Sequence, residues 1–232
     1  MNTPTDRTLK SANMKWLVSL VIFDLIAVLF LALPETFATA SLNFVILRVL
    51  AVAVLPVLVL VISGVLPHDI KAMLVYWKPR GVLPGCEAFT KYGPADVRVD
   101  MKALETNVGE LPSDPWEQNS KWYKLFRLVR NEPEVVEAHK LFLMYRDMAT
   151  LSLPLIVLMP VGLHYAYGGA TAKWFVAAGF VLQYLCAAIG ARFAGERFVS
   201  NVLAVHSTKN AREDQTVENV AAKARLTRTR NR

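Results

Sequence analysis

The chain is poor in cysteine, in charge and in catalytic signatures. Only Cys86 and Cys186 occur in 232 residues, one in a polar segment and one in an apolar run. Two such distant thiols make no disulfide framework and fit a reducing compartment. There is no H-E-x-x-H, no Walker loop, no G-x-S-x-G and no C-x-x-C, and the four histidines lie scattered at 68, 139, 164 and 206. The common metal, phosphate and acyl-transfer chemistries therefore have no motif to rest on. We read no catalytic residue, no metal site and no cofactor, and expect a protein that is not an enzyme. Charged residues are only 19% of the chain against 54% hydrophobic ones. A soluble domain of this length carries more charge and shorter apolar runs. The first apolar segment lacks an A-x-A cleavage site and reads as a retained span rather than a signal peptide.

What is present is four long apolar runs. The predicted spans are 15–33 and 42–66, forming one hairpin over 15–66, and 150–168 and 173–195, forming a second over 149–200. Each holds about 20 apolar residues, the length a helix needs to cross a hydrocarbon core. Pro34 and Pro67 punctuate the first pair, and Pro56 marks a kink in the second span. The short connections Glu35–Ser41 and Gly168–Ala172 contain no Lys or Arg. The N-terminus 1–14, the central segment 67–148 and the basic tail 201–232 hold nearly all of them. By the positive-inside rule both termini and the central segment are expected in the cytoplasm. The expected fold class is an all-α membrane protein with a mainly helical cytoplasmic segment inserted between helices 2 and 3.

That segment is too long for a plain loop. Ile70, Met73, Leu74 and Trp77 repeat at helical spacing over His68–Lys78, which predicts a short amphipathic helix at the membrane surface. Pro79–Gly93 reads as turn-rich, and Asp96–Leu104 as another short helix. Asp114, Pro115 and Glu117 predict a capped helix start, the helix running to about Arg130. Asn131-Glu132-Pro133-Glu134 repeats that grammar, and its helix is expected to pass through His139 and Arg146 into the third span.

Three sets of residues stand out. Asp24, Arg48 and Gln183 are polar groups inside apolar runs, where ionisable side chains are costly and face a bundle interior or a water path. At about 1.5 Å of rise per residue, Asp24 and Arg48 differ in depth by about 5 Å. An internal salt bridge, an ion pathway and an Arg48 that reaches alone to the interface all fit. Ala187, Gly190, Ala191, Ala194 and Gly195 form a small-residue stripe that lets helices approach closely, within one chain or between copies. Trp116, Lys121, Trp122, Tyr123, Lys124, Arg127 and Arg130 mix aromatic and cationic groups on one helix. They suit a single-stranded nucleic acid or an anionic lipid surface. Equally, Trp122, Phe126 and Val129 could form a core face beneath solvated bases. The central segment balances twelve Lys/Arg against twelve Asp/Glu, which argues against strong non-specific DNA binding.

The stretches KAMLVYWK (Lys71–Lys78), LPGCEAF (Leu83–Phe89), DVRVD (Asp96–Asp100), QNSKWYKLF (Gln118–Phe126) and EAHKLFLMYRD (Glu137–Asp147) resemble a family of small bacterial inner-membrane proteins. In architecture the chain is also similar to the membrane effectors of the two-gene Hailong anti-phage systems: few spans, a cytoplasmic domain between them, and an aromatic and basic surface. Such effectors are four-subunit channels held closed by DNA oligomers that a partner nucleotidyltransferase makes. The resemblance implies a homo-oligomeric ion channel in antiviral defence, with an oligonucleotide or nucleotide ligand at the cytoplasmic domain and a nucleotidyltransferase partner. A different class remains open, a membrane-anchored scaffold or assembly factor without transport. A lipid enzyme would have only His68, Asp69, His139 and Arg146 to draw on, and ranks last.

Overall fold

In the computed structural model, residues 6–37, 42–167 and 172–208 are described, with side chains at 11–30, 50, 54–165 and 173–208. Among these the chain is helical and contains no strand. Eight α-helices follow in order: α1 (Asp6–Phe37), α2 (Leu42–Val65), α3 (His68–Tyr76), the single turn α4 (Gly93–Ala95), α5 (Met101–Val108), α6 (Pro115–Val129), α7 (Pro133–Tyr167) and α8 (Ala172–Ser207). Among the described residues three stretches are long and apolar enough to cross a membrane: Ser11–Phe30, Pro133–Tyr165 and Lys173–Ser207. Described side chains of α2 cover only Val54–Val65 plus Leu50. That stretch passes the same test only together with α3, from which it is bent by 113°.

α1 already covers Asp6, the first of the described residues, and so extends well before the expected Lys15; Arg7 and Lys10 are good helix formers. As expected, α7 runs through His139 and Arg146 into the third apolar run as one helix of 35 residues, and α8 continues past Phe193 as one of 36. α7 does so despite Pro154 and Pro160.

The chain divides into two compact units. The first comprises the chain up to Val82 together with Glu137–Gly195; the second comprises Leu83–Val136 and the chain from Glu196 onward. The expected segment 67–148 is thus shared between them, and α7 and α8 each contribute residues to both.

In the first unit, Leu151, Leu155, Met159 and Leu163 repeat every four residues along α7, each 1% exposed. This stripe packs with Leu17 and Val28 of α1, Val59 of α2, and Val176 and Phe180 of α8. A second cluster joins Val75 of α3 to Ala149, Tyr184, Ala187, Ala188 and Ala191. The outward residues are as apolar as the inward ones: Phe23, Ile26, Phe30, Trp174, Phe175, Leu182 and Phe193 are each more than 60% exposed. Helices apolar all round are what a hydrocarbon solvent selects.

The second unit is held by aromatic packing and backbone capping. Trp122 stacks on Phe126 at 5.8 Å, and Phe198 meets both rings edge-on at 5.1 Å. Asp114 caps α6 by accepting from the amides of Trp116 and Glu117, as its sequence predicts. The expected Asp96–Leu104 helix is corrected to α5, which starts at Met101. Asp100 accepts from the amides of Lys102 and Ala103 and so sets the start there. The expected turn-rich stretch winds instead into a 3-10 turn at Pro84–Glu87 and a π turn at Ala88–Tyr92. Buried Gln118 fixes it, accepting from the amides of Phe89 and Thr90 and donating to the Ser113 carbonyl. Gly85 is required here: a Cβ would lie 2.6 Å from the Trp122 ring.

Candidate intramembrane polar site

The strongest polar assembly within the apolar helices joins α1, α7 and α8. Asp24 is 3% exposed, and Gln183 Nε2 donates to its Oδ2 at 3.1 Å. The same nitrogen donates to Ser152 Oγ at 3.0 Å, and Ser152 Oγ donates onward to the Met148 carbonyl at 2.9 Å. A carboxylate in an apolar interior is tolerated only when hydrogen-bonded. The amide therefore sits where its two hydrogens are most needed, one held by the carboxylate and one by the serine. Asp24 and Gln183 also line a cavity of about 140 Å³ whose other walls include Phe23, Phe175, Phe180 and Gly179.

Of the three polar residues flagged in the apolar runs, the fold brings Asp24 and Gln183 together. Arg48 belongs to α2, and its side chain lies outside the described residues. Ser152 is a member that sequence reasoning missed, since a serine bonded to its own preceding turn leaves no signal in a hydropathy pattern.

The small-residue stripe of α8 is used within the chain. Gly190 lies under the Tyr145 ring, where a Cβ would come within 3.1–3.2 Å of it. Gly195 lies against Phe142 and Tyr76, and Ala187 and Ala191 belong to the cluster around Val75. Ala194 is 8% exposed.

On α6 the seven expected ligand-facing residues separate. Trp116, Tyr123, Lys124, Arg127 and Arg130 point outward. Trp122 is buried in the aromatic core, and its indole nitrogen has no hydrogen-bond partner among the described residues. Lys121 donates to the carbonyls of Gly109 and Glu110, tying down the loop before the helix.

Two further assemblies escaped the sequence. Arg146, fully buried, donates through Nε and Nη2 to Asp147 Oδ1 at 3.1 and 2.8 Å, and its Nη1 lies 2.9 Å from the His68 ring nitrogens. Lys71 donates to the same carboxylate oxygen at 3.1 Å. Two buried cations thus share one anion. Asp69 is exposed and His139 buried. Further along α3, Arg192 stacks 3.8 Å from the Trp77 ring and donates to the Val75 carbonyl at 2.7 Å. Trp77 Nε1 donates to Tyr184 Oη at 2.7 Å, and Tyr184 Oη donates to the Leu74 carbonyl at 2.6 Å. Two side chains of α8 thereby satisfy the last carbonyls of α3, orphans that every helix end must place somewhere.

Among the described residues no group of three or more His, Cys, Asp or Glu side chains could hold a metal ion. Comparison with known proteins finds no match: no family model, no curated protein and no solved structure.

Proposed function

We propose that this protein is a homo-oligomeric, channel-like protein of the bacterial inner membrane, gated by a ligand at its cytoplasmic residues and acting in anti-phage defence. Both hairpins, 15–66 and 149–200, cross the bilayer, and both termini face the cytoplasm. One observation carries the reading: a carboxylate, an amide and a hydroxyl from three helices form a continuous polar chain inside apolar helices. Nature retains ionisable groups at such depth for ion or proton paths. Asp24, Arg48 and Gln183 are the polar lining or its lock. The outward residues of α6, Trp116, Tyr123, Lys124, Arg127 and Arg130, offer stacking faces and phosphate partners to an oligonucleotide or nucleotide, supplied by a nucleotidyltransferase partner. The test is membrane potential in cells overexpressing the wild type, Asp24→Asn or Arg48→Ala. Depolarisation by the wild type that the substitutions change is the expected result; an unchanged potential in all three overturns the channel.

A second reading, a membrane-anchored scaffold or assembly factor, is favoured by the exposed apolar side chains Trp116, Tyr123 and Leu128 on α6. It expects a stable partner in pull-downs and indifference to substitution of Asp24.

A further inference from the structure

The cavity beside Asp24 is chemically one-sided. Gln183 Nε2 spends both of its hydrogens inside the protein, on Asp24 Oδ2 and Ser152 Oγ. Ser152 in turn spends its own hydrogen on the Met148 carbonyl. What the two polar lining side chains have left is Asp24 Oδ1 and Gln183 Oε1, both acceptors. The remaining walls are apolar, with the rings of Phe23, Phe175 and Phe180 among them. A carboxylate and an amide oxygen beside aromatic faces call for a donor that carries positive charge. A hard metal ion is a poor candidate, since such ions take about six oxygen ligands and two side chains supply too few. The volume, about 140 Å³, is close to the roughly 150 Å³ apolar cavity that admits a benzene ring.

We infer that this cavity is a binding site for a small lipophilic organic ammonium ion, its nitrogen on Asp24 and Gln183 and its apolar body among the phenylalanines. Phe23 and Phe175 are 64% and 67% exposed, so the cavity is walled by residues that also meet the lipid side, the phase in which such cations accumulate. Gly179 completes the space: a Cβ there would meet nothing within 4 Å. The ammonium neutralises the charge that the Gln183 amide alone only solvates. The inference rests on the reading of Asp24 as a membrane-embedded functional carboxylate, and it names the ligand class for that group.

The test uses the full chain purified in detergent, titrated with benzylammonium chloride and, separately, with the neutral isostere benzyl alcohol. Binding is followed by calorimetry and ligand-observed NMR. The wild type is expected to bind benzylammonium at least tenfold more tightly than benzyl alcohol. Asp24→Asn erases that preference, and Gly179→Leu, which fills the open space and leaves the polar chain intact, abolishes binding of both. Equal affinity for the two probes means an apolar void without cation recognition and overturns the proposal, as does no binding at all. A preference that survives in Asp24→Asn overturns it too. Should Asp24→Asn not fold, full binding in Gly179→Leu alone refutes the site. The membrane-potential assay is a separate readout: a change in potential on Asp24→Asn alongside absent amine binding sinks this site and leaves the channel reading standing.

Discussion

Asp24 and Gln183, 159 residues apart in sequence, meet through a single 3.1 Å hydrogen bond between α1 and α8. The donor matters more than the acceptor. Removing the amide by Gln183→Leu strands a buried carboxylate, which costs about 1–3 kcal/mol or more for a charged group. Asp24→Asn keeps an acceptor oxygen at the same place and discards the charge. We therefore expect thermal unfolding in detergent to fall clearly for Gln183→Leu and little for Asp24→Asn. The double variant is expected to unfold at a higher temperature than Gln183→Leu alone, because the stranded charge is gone. Simple additivity of the two shifts would show that the bond does not couple the helices.

At Trp77 a strained backbone and a useful ring occupy the same residue. It is the one non-glycine residue with positive φ among those described, at φ 54°. A left-handed conformation costs a side chain about 1–2 kcal/mol, a penalty glycine escapes. The ring returns a stack on Arg192 and a bond to Tyr184, a cation–π contact being worth about 0.5–2 kcal/mol. Trp77→Ala loses the contacts and keeps the strain, whereas Trp77→Gly loses the contacts and releases it. The expected order of melting temperature is wild type, then Gly, then Ala. Ala above Gly would mean that the strain is not what the substitution releases.

How much of this was legible beforehand follows from which signals are local. The apolar runs announce helices because hydropathy is read residue by residue, and Asp114 announces α6 because a cap needs only its own next three residues. Asp24 and Gln183 each stand out as polar groups in apolar helices. Their pairing does not, since nothing in a linear pattern registers two side chains 159 positions apart. Lys71 and Asp147 look like ordinary surface charges until the 113° bend between α2 and α3 is known. The same bend is what presents the end of α3 to Tyr184 and Arg192. DVRVD misleads because its second aspartate is a cap that follows a turn at Asp96–Val99, where a helix seemed to begin.

The Lys71–Asp147–Arg146 cluster sets unequal penalties on its members. Both cations donate to Asp147 Oδ1, so one carboxylate oxygen bonds them both. Asp147→Asn removes the carboxylate charge that Arg146 and Lys71 both bond, and breaking a buried pair this way costs about 3–5 kcal/mol. Lys71→Met instead removes one of the two cations and keeps the Arg146–Asp147 bond, with an apolar stem of similar length. Urea or thermal unfolding is expected to show a large loss for Asp147→Asn and a small one for Lys71→Met. Equal losses would mean that Lys71 contributes as a partner of its own.

Asp96 tests the electrostatics of the second unit. Arg98 donates Nε to Oδ1 at 3.0 Å and Nη2 to Oδ2 at 2.7 Å, and its backbone amide donates to Oδ1 as well. These bonds favour the ionised form, chiefly the side-chain ones, and hold the Asp96 carboxyl at about 2 against its ordinary 3.8. The unfolded chain then binds this proton more tightly than the folded one. The pair's contribution is complete above the unfolded value, near pH 4, and disappears as pH falls through the folded value, near pH 2. Because Arg98 is exposed and its charge screened by solvent, the effect on global stability is small. The sharper measurement is the carboxyl carbon shift of Asp96 during an acid titration by NMR. Its midpoint is expected near pH 2 in the wild type and back toward 3.8 in Arg98→Ala. A wild-type midpoint already at the ordinary value would mean that the fork from Arg98 does not hold in solution.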